Sequence, residues 1–164
     1  MKLLILGHGR HGKDTVADII AEDYGLTTNS SSMIASEQVV QPYLADNYGL
    51  HYVSVEACFD DRHNHREKWF EAISAFNADD PAALARQVLD VSDIYVGMRC
   101  DREFFAARHL FDFVIGVTAF ERHPALDPTF LCPLGQCDFI LTNDGPEEDL
   151  RPKVHELMER LFNL

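Results

Sequence analysis

The sequence is short of positive charge. Among 164 residues, 14 Lys and Arg stand against 27 Asp and Glu, a net charge of −13 with histidines neutral. That deficit argues against a protein that grips nucleic-acid backbone generally, because such proteins neutralise phosphates with clustered Lys and Arg. A local basic pocket on an acidic body stays open. Long apolar runs are missing too. No stretch reaches the roughly 18 apolar residues that a membrane helix needs, so no membrane partner is expected. The amino end has one Lys, a short apolar stretch and a Gly-rich turn, which is not the plan of a signal peptide. Cysteine is scarce: Cys58, Cys100, Cys132 and Cys137, with no CxxC spacing. These are too few for a disulfide scaffold and are expected as reduced thiols in a cytoplasmic protein. Cys132 and Cys137 lack the second pair that would complete a zinc site. Repeats and low-complexity segments are also lacking.

What is present is ordinary for one globular domain spanning 1–164, with 46% apolar and 25% charged residues. Residues 2–6 (KLLIL) form a continuous apolar run, the pattern of a strand buried on both faces of a parallel sheet. Further strands are predicted at 26–28, 94–96, 113–117 and 139–141. Helices are predicted at 14–24, 34–48, 65–77, 81–89, 101–110 and 147–162, with a less regular helical stretch after Ser54. Strands alternating with helices imply an α/β fold with a parallel sheet. The long helical stretch around 30–92, between the second and third strands, is the candidate acceptor-binding insertion.

Residues 7–15 (GHGRHGKDT) carry the most information. Gly7, Gly12 and Lys13 satisfy G-x-x-x-x-G-K, directly after a buried strand and directly before a helix, the context that marks a P-loop. Glycines let the backbone wrap a phosphate closely. Loop amides and the helix N-terminus supply positive potential to a polyanion. The candidate ATP-binding residues are therefore Gly7, His8, Gly9, Arg10, His11, Gly12, Lys13, Asp14 and Thr15, with Lys13 bridging the outer phosphates. Asp14 stands where Ser or Thr is usual, and Thr15 follows it. Either one is a candidate for holding Mg²⁺, Asp14 through water.

Phosphoryl transfer depends on positioning and charge neutralisation, so cations beyond the loop matter. The candidates are Arg62, Arg66, Arg99, Arg102, Arg108 and Arg122, any of which also has the plainer reading of a surface ion pair. Arg99 stands out because it follows a central strand at its C-terminal end, where ligands sit in open α/β sheets. Ser31 and Ser32, just after the second predicted strand, lie where an acceptor would enter, and Ser30–Ser32 also offer helix-cap hydroxyls. His63 and His65 flank Asn64 on a polar turn, a pattern read as solvated histidines rather than a metal pair. Asp14, Asp60, Asp61 and Glu103 are candidate bases for a hydroxyl acceptor; a phosphate acceptor needs none. Trp69, Phe70 and Phe76 are read first as core.

The GKDT ending of the loop resembles the phage deoxynucleotide monophosphate kinases and the wider nucleoside-monophosphate and dephospho-coenzyme A kinase group. Val96-Gly97-Met98-Arg99 with Glu103 is similar to the end of that group's third strand, where an Arg and a Glu lie beside the acceptor. Residues 113–117 followed by Arg122 are similar to the next strand and its lid arginine. Residues 138–145 (DFILTNDG) are similar to the last strand and the loop that packs on adenine, through Asn143.

The resemblance implies a P-loop NTPase three-layer sandwich, with a five-stranded parallel sheet of order 2-3-1-4-5 and helices on both faces. It implies positions beside the acceptor for Arg99 and Glu103 and ATP contacts from Arg122 and Asn143; joined to the residue-based readings above, the candidate catalytic residues are Lys13, Asp14 and Arg99, and the candidate acceptor contacts are Ser31, Ser32, Arg62, Arg66, Arg99 and Glu103. Many relatives carry an Asp where Gly97 stands, and the lid here is short.

The expected activity is Mg²⁺- and ATP-dependent conversion of a deoxynucleoside monophosphate to its diphosphate, in the host cytoplasm if the chain is phage-encoded. A related alternative is a 5-hydroxymethyluridine DNA kinase, whose partner would be hydroxymethyluracil-containing DNA. A third alternative is a non-catalytic nucleotide-binding module. The pattern is compatible with a homodimer.

Overall fold

The computed structural model describes residues 1–124 and 126–163. Its centre is β1 (Leu3–Leu6), buried along its whole length. β1 pairs in parallel with β2 (Ile94–Val96) on one side and β3 (Phe113–Thr118) on the other, and β3 pairs in parallel with β4 (Phe139–Thr142). The order is β2-β1-β3-β4. Strand residues alternate between two cores because successive side chains leave opposite faces. Leu3 and Ile5 pack with Val16 and Ile20 of α1 (Lys13–Tyr24) and with Val154 and Met158 of α8 (Leu150–Phe162). Leu4 and Leu6 pack on the other face with Ile34, Leu44, Trp69, Val88 and Phe104. Those side chains belong to α2 (Ser31–Ala35), α3 (Gln41–Tyr48), α5 (Arg66–Phe76), α6 (Ala83–Val91) and α7 (Asp101–Ala107); a short α4 (Val55–Asp60) lies between α3 and α5. The fold is α/β, a parallel sheet with helices on both faces.

Two expectations are corrected. The sheet of the described residues has four strands in order 2-1-3-4, not five in order 2-3-1-4-5. The segment expected as the second strand survives as one parallel bridge, Thr28 to Ile94. The Asp93 and Ile94 amides donate to the Thr27 carbonyl, at 2.8 and 3.1 Å, and side chains supply the bonds around that point. The Thr27 amide and hydroxyl both donate to Asp93, at 2.9 and 2.6 Å. Asn29 donates to the Ser92 hydroxyl and to the Val91 carbonyl. Short polar side chains offer the backbone an alternative to a ladder, and here they end it after one bridge. The helix expected over 34–48 is divided into α2, a π-helical turn at Ser36–Val40, and α3. Pro42, near the start of α3, has no N–H to give Gln38, so the hydrogen-bond spacing changes at that point.

Candidate active site

All four strands run parallel, so their carboxyl ends share one edge of the sheet, and the loops leaving them meet there. The glycine-rich loop leaves β1 with its first glycine tight against the sheet, since a Cβ on Gly7 would lie 2.6 Å from the Val117 carbonyl oxygen. Gly12 has φ +92° and ends the loop at the start of α1. A Cβ there would strike the Asn143 amide nitrogen at 2.4 Å. Asn143 is the first residue after β4. Its backbone N–H donates to the Thr118 carbonyl at 2.6 Å, its side-chain amide donates to the His11 carbonyl at 3.0 Å, and its own carbonyl accepts from Arg122 Nε at 2.8 Å. Asn143 and Arg122 thus brace the loop from behind. Among the described residues Arg10 is the non-glycine residue held at positive φ, at 67°, a strained conformation of the kind that gathers at functional sites.

The first turn of α1 is open to an anion. No side chain caps α1 at Gly12, and among the described residues the amides of Lys13, Asp14 and Thr15 donate to no protein acceptor. Together with the helix dipole, such amides make an anion site once a cation stands beside them. Lys13 is that cation, and its ammonium is held 2.9 Å from the Asp14 carboxylate.

The segment after β3 crosses over the loop and fixes its two histidines. His11 is wholly buried. Its Nδ1 accepts from the Ala119 amide at 3.2 Å, which leaves Nε2 as the protonated nitrogen, 3.2 Å from the His123 carbonyl. His8 accepts the Asp127 amide on Nδ1 at 3.1 Å. Burial, and next the neighbouring His11, hold the His8 pKa below its ordinary value. Phe120 packs edge-on against both rings and Phe130 against His8.

Two clefts open beside this platform and share Gly97 and Arg99. The first, about 280 Å³, is lined by Lys13, Asp14, Asp18, Asn29, Ser30–Ser32, Gly97 and Arg99, among others. Ser31 is locked in place, its hydroxyl donating to the Val96 carbonyl, while a Cβ on Gly97 (φ +108°) would press on that hydroxyl at 2.9 Å. The second cleft, about 230 Å³, is walled by Phe70, Ile73, Pro81, Leu84 and Tyr95, with Asn77, Arg102 and Glu103 as polar members. Glu103 is 7% exposed and accepts a hydrogen bond from the Tyr95 hydroxyl at 2.9 Å. Burial pushes its carboxyl up to about 7, although the Tyr95 bond pulls the other way. Arg99 donates from one nitrogen to Asp127 at 2.6 Å and to Thr129 at 2.8 Å. Burial opposes ionisation of Asp127, but hydrogen bonds from Thr129 and Arg99 outweigh it and hold the carboxyl far below the usual range.

The structure therefore brings Lys13, Asp14, Ser31, Ser32 and Arg99 to the first cleft and Glu103, beside Arg99, to the second, and sets Arg122 and Asn143 against the glycine-rich loop. Other candidates lie apart. Thr15 is exposed and does not line the first cleft. Arg62 lies over the Phe59 ring and donates to the Phe59 carbonyl; Arg62 and Arg66 line neither cleft. Arg108 pairs with Asp138 at 2.8 Å, a strut at the far end of β4. Arg102 lines the second cleft while donating to the Ala78 carbonyl. Asp61 is committed to Tyr52, Asn64 and His65, and Asp60 lines neither cleft.

Among the described residues no three His, Cys, Asp or Glu side chains converge to cage a metal. Burial pushes the Cys132 and Cys137 thiols up to about 12 and 11, so they stand protonated at neutral pH. A magnesium ion carried in with phosphates needs only one or two protein oxygens. Asp14 fits that demand, with Asp18 one helical turn away on the same wall. Asp18, Asn29, Asp127 and Thr129 are site residues that sequence reasoning missed. Asp18 was accessible from its i+4 spacing to Asp14; the others depend on long-range contacts. No protein-family model matches the chain, and no curated protein matches it.

Proposed function

We propose that this protein is an ATP-dependent kinase of the P-loop type, transferring the γ-phosphoryl group to a deoxynucleoside monophosphate. One observation carries the proposal: a glycine-rich loop between a buried strand and an uncapped helix opens, through Lys13, onto a cleft whose other cation is Arg99. The loop amides and Lys13 bind the triphosphate, and Arg99 neutralises charge on the acceptor phosphate. The acceptor oxygen forms a new bond to the γ-phosphorus as the bond to the ADP oxygen breaks. An ionised phosphate acceptor needs no base, so no carboxylate has to reach it. Mg²⁺ bound with the nucleotide would be held by Asp14 and would neutralise phosphate charge. The apolar second cleft suits one planar base, with the Glu103 carboxyl as hydrogen-bonding partner. The Thr28–Ile94 bridge marks where a fifth strand would complete the order 2-3-1-4-5.

A free nucleotide is favoured over DNA by the surroundings. The first cleft carries Asp14 and Asp18, and among the described residues the groove beyond Ser30 is lined by Glu37 and Glu56 with no Lys or Arg. A polynucleotide continuing along that groove would meet carboxylates rather than counter-charges.

The test is incubation with Mg·ATP and, separately, each deoxynucleoside monophosphate and hydroxymethyluracil-containing DNA. Transfer to at least one free monophosphate is expected, with Lys13→Ala losing at least about a hundredfold in rate while melting like the wild type. Label appearing only in DNA would reassign the acceptor. A Lys13→Ala protein with near-normal turnover would remove the kinase assignment.

A further inference from the structure

We infer that the Asp127 carboxylate occupies an anion subsite between the phosphate loop and Arg99, and that a phosphoryl group of the bound nucleotide displaces it. The inference rests on the kinase reading and adds an internal competitor to it. Asp127 Oδ2 lies 3.7 Å from the position a Cβ on Gly9 would take, so the carboxylate stands against the loop itself. The same oxygen accepts from Arg99 at 2.6 Å. The other oxygen is held by the Thr129 amide and hydroxyl, at 2.9 and 2.6 Å. A negatively charged oxygen resting on a glycine of the loop and paired to the acceptor-side guanidinium presents what a phosphate oxygen would present.

Arg99 is arranged to exchange partners. Only Nη1 is engaged; among the described residues Nη2 and Nε donate to no protein acceptor. A guanidinium binds phosphate through a two-nitrogen fork, so Arg99 can grasp an incoming phosphoryl oxygen before it releases Asp127. The segment itself need not unfold for this. It is anchored by the Asp127 amide on His8 and by the Phe120 and Phe130 rings, none of which involves the carboxylate. Lys13 is likewise neutralised by Asp14. Both cleft cations are thus held by the chain's own acids, so that nucleotide binding is an exchange of anions.

Isothermal titration of inorganic tripolyphosphate in EDTA tests the exchange without metal or catalysis. Asp127→Asn should bind about tenfold more tightly than the wild type, because a like charge beside the polyanion is removed. The gain should vanish when Arg99→Met is added. Thr129→Val, which keeps the charge but loosens its hold, should give a smaller gain, and serves if Asp127→Asn melts early. Equal or weaker binding by Asp127→Asn, or by Thr129→Val in its place, overturns the inference while leaving the loop assignment standing. A gain that persists without Arg99 overturns the shared subsite. Absence of binding by every folded protein would remove the phosphate-loop assignment as well.

Discussion

Replacing Glu103 with Gln should make the protein more stable at alkaline pH and flatten its pH dependence. Glu103 is buried beside Tyr95, and its carboxyl titrates near 7 in the folded chain against an ordinary 4.5. The folded state therefore holds a proton that the unfolded state gives up between these values. Stability supplied by the protonated form is complete below about pH 4.5 and is lost as pH rises through about 7. A shift from 4.5 to about 7, at 1.36 kcal/mol per pH unit, corresponds to a total of about 3 kcal/mol, of which about 2.5 kcal/mol falls between pH 5 and pH 8. Gln is nearly the same shape, accepts the Tyr95 hydroxyl and does not ionise. Urea unfolding of both proteins at pH 5 and pH 8 measures the difference. Wild type should lose about 2.5 kcal/mol relative to Glu103→Gln over that interval. Tyr95→Phe removes the hydrogen bond that favours the ionised form, so it should steepen the loss. Parallel pH profiles for wild type and Glu103→Gln would refute the buried carboxyl.

The glycines at the two ends of α1 should respond differently to alanine. Gly12→Ala places a methyl on the Asn143 amide at a positive φ and should cost about 2–3 kcal/mol together with phosphate binding. Gly25→Ala, at φ +70° in open space, should cost about 1 kcal/mol and leave binding unchanged; thermal melts and tripolyphosphate titration read both. Thiol labelling at pH 8 should modify exposed Cys100 first, because the Cys132 and Cys137 thiols stand protonated at that pH; rapid labelling of Cys132 would contradict its burial.

Local signals carried the readable part of this molecule. The run at β1, the glycines after it and Lys13 lie within a dozen residues of one another, so strand, loop and helix start were legible as one pattern. The same holds for β2, where Ile94–Val96 is short, apolar and bounded by Asp93 and Gly97. The lost edge strand was not legible, because Thr27 and Asp93 decide it across 66 residues. Arg99 does follow the carboxyl end of a strand, but that strand, expected to be central, is an edge of the four-stranded sheet of the described residues, and the partners of Arg99, Asp127 and Thr129, come from a loop about thirty residues on. Arg62 and Arg66 looked equally suited to phosphate by residue type. Arg62 sits on a short 3-10 turn against Phe59, Arg66 opens α5, and neither lines a cleft, which no spacing rule shows. Asn143 and Arg122 were picked out for the nucleotide; their hydrogen bonds to the His11 carbonyl and to each other, across 132 and 21 residues, could not be read in one dimension.

The central claim is that the amides of the loop and the first turn of α1 hold phosphate. The direct measurement is an amide nitrogen–proton correlation spectrum of the isotope-labelled protein titrated with ATP. The amides of Gly9, Gly12, Lys13, Asp14 and Thr15 should shift together and saturate with one affinity, and Lys13→Ala should weaken that affinity at least about tenfold. Signals that stay fixed at these five positions while others move would contradict it.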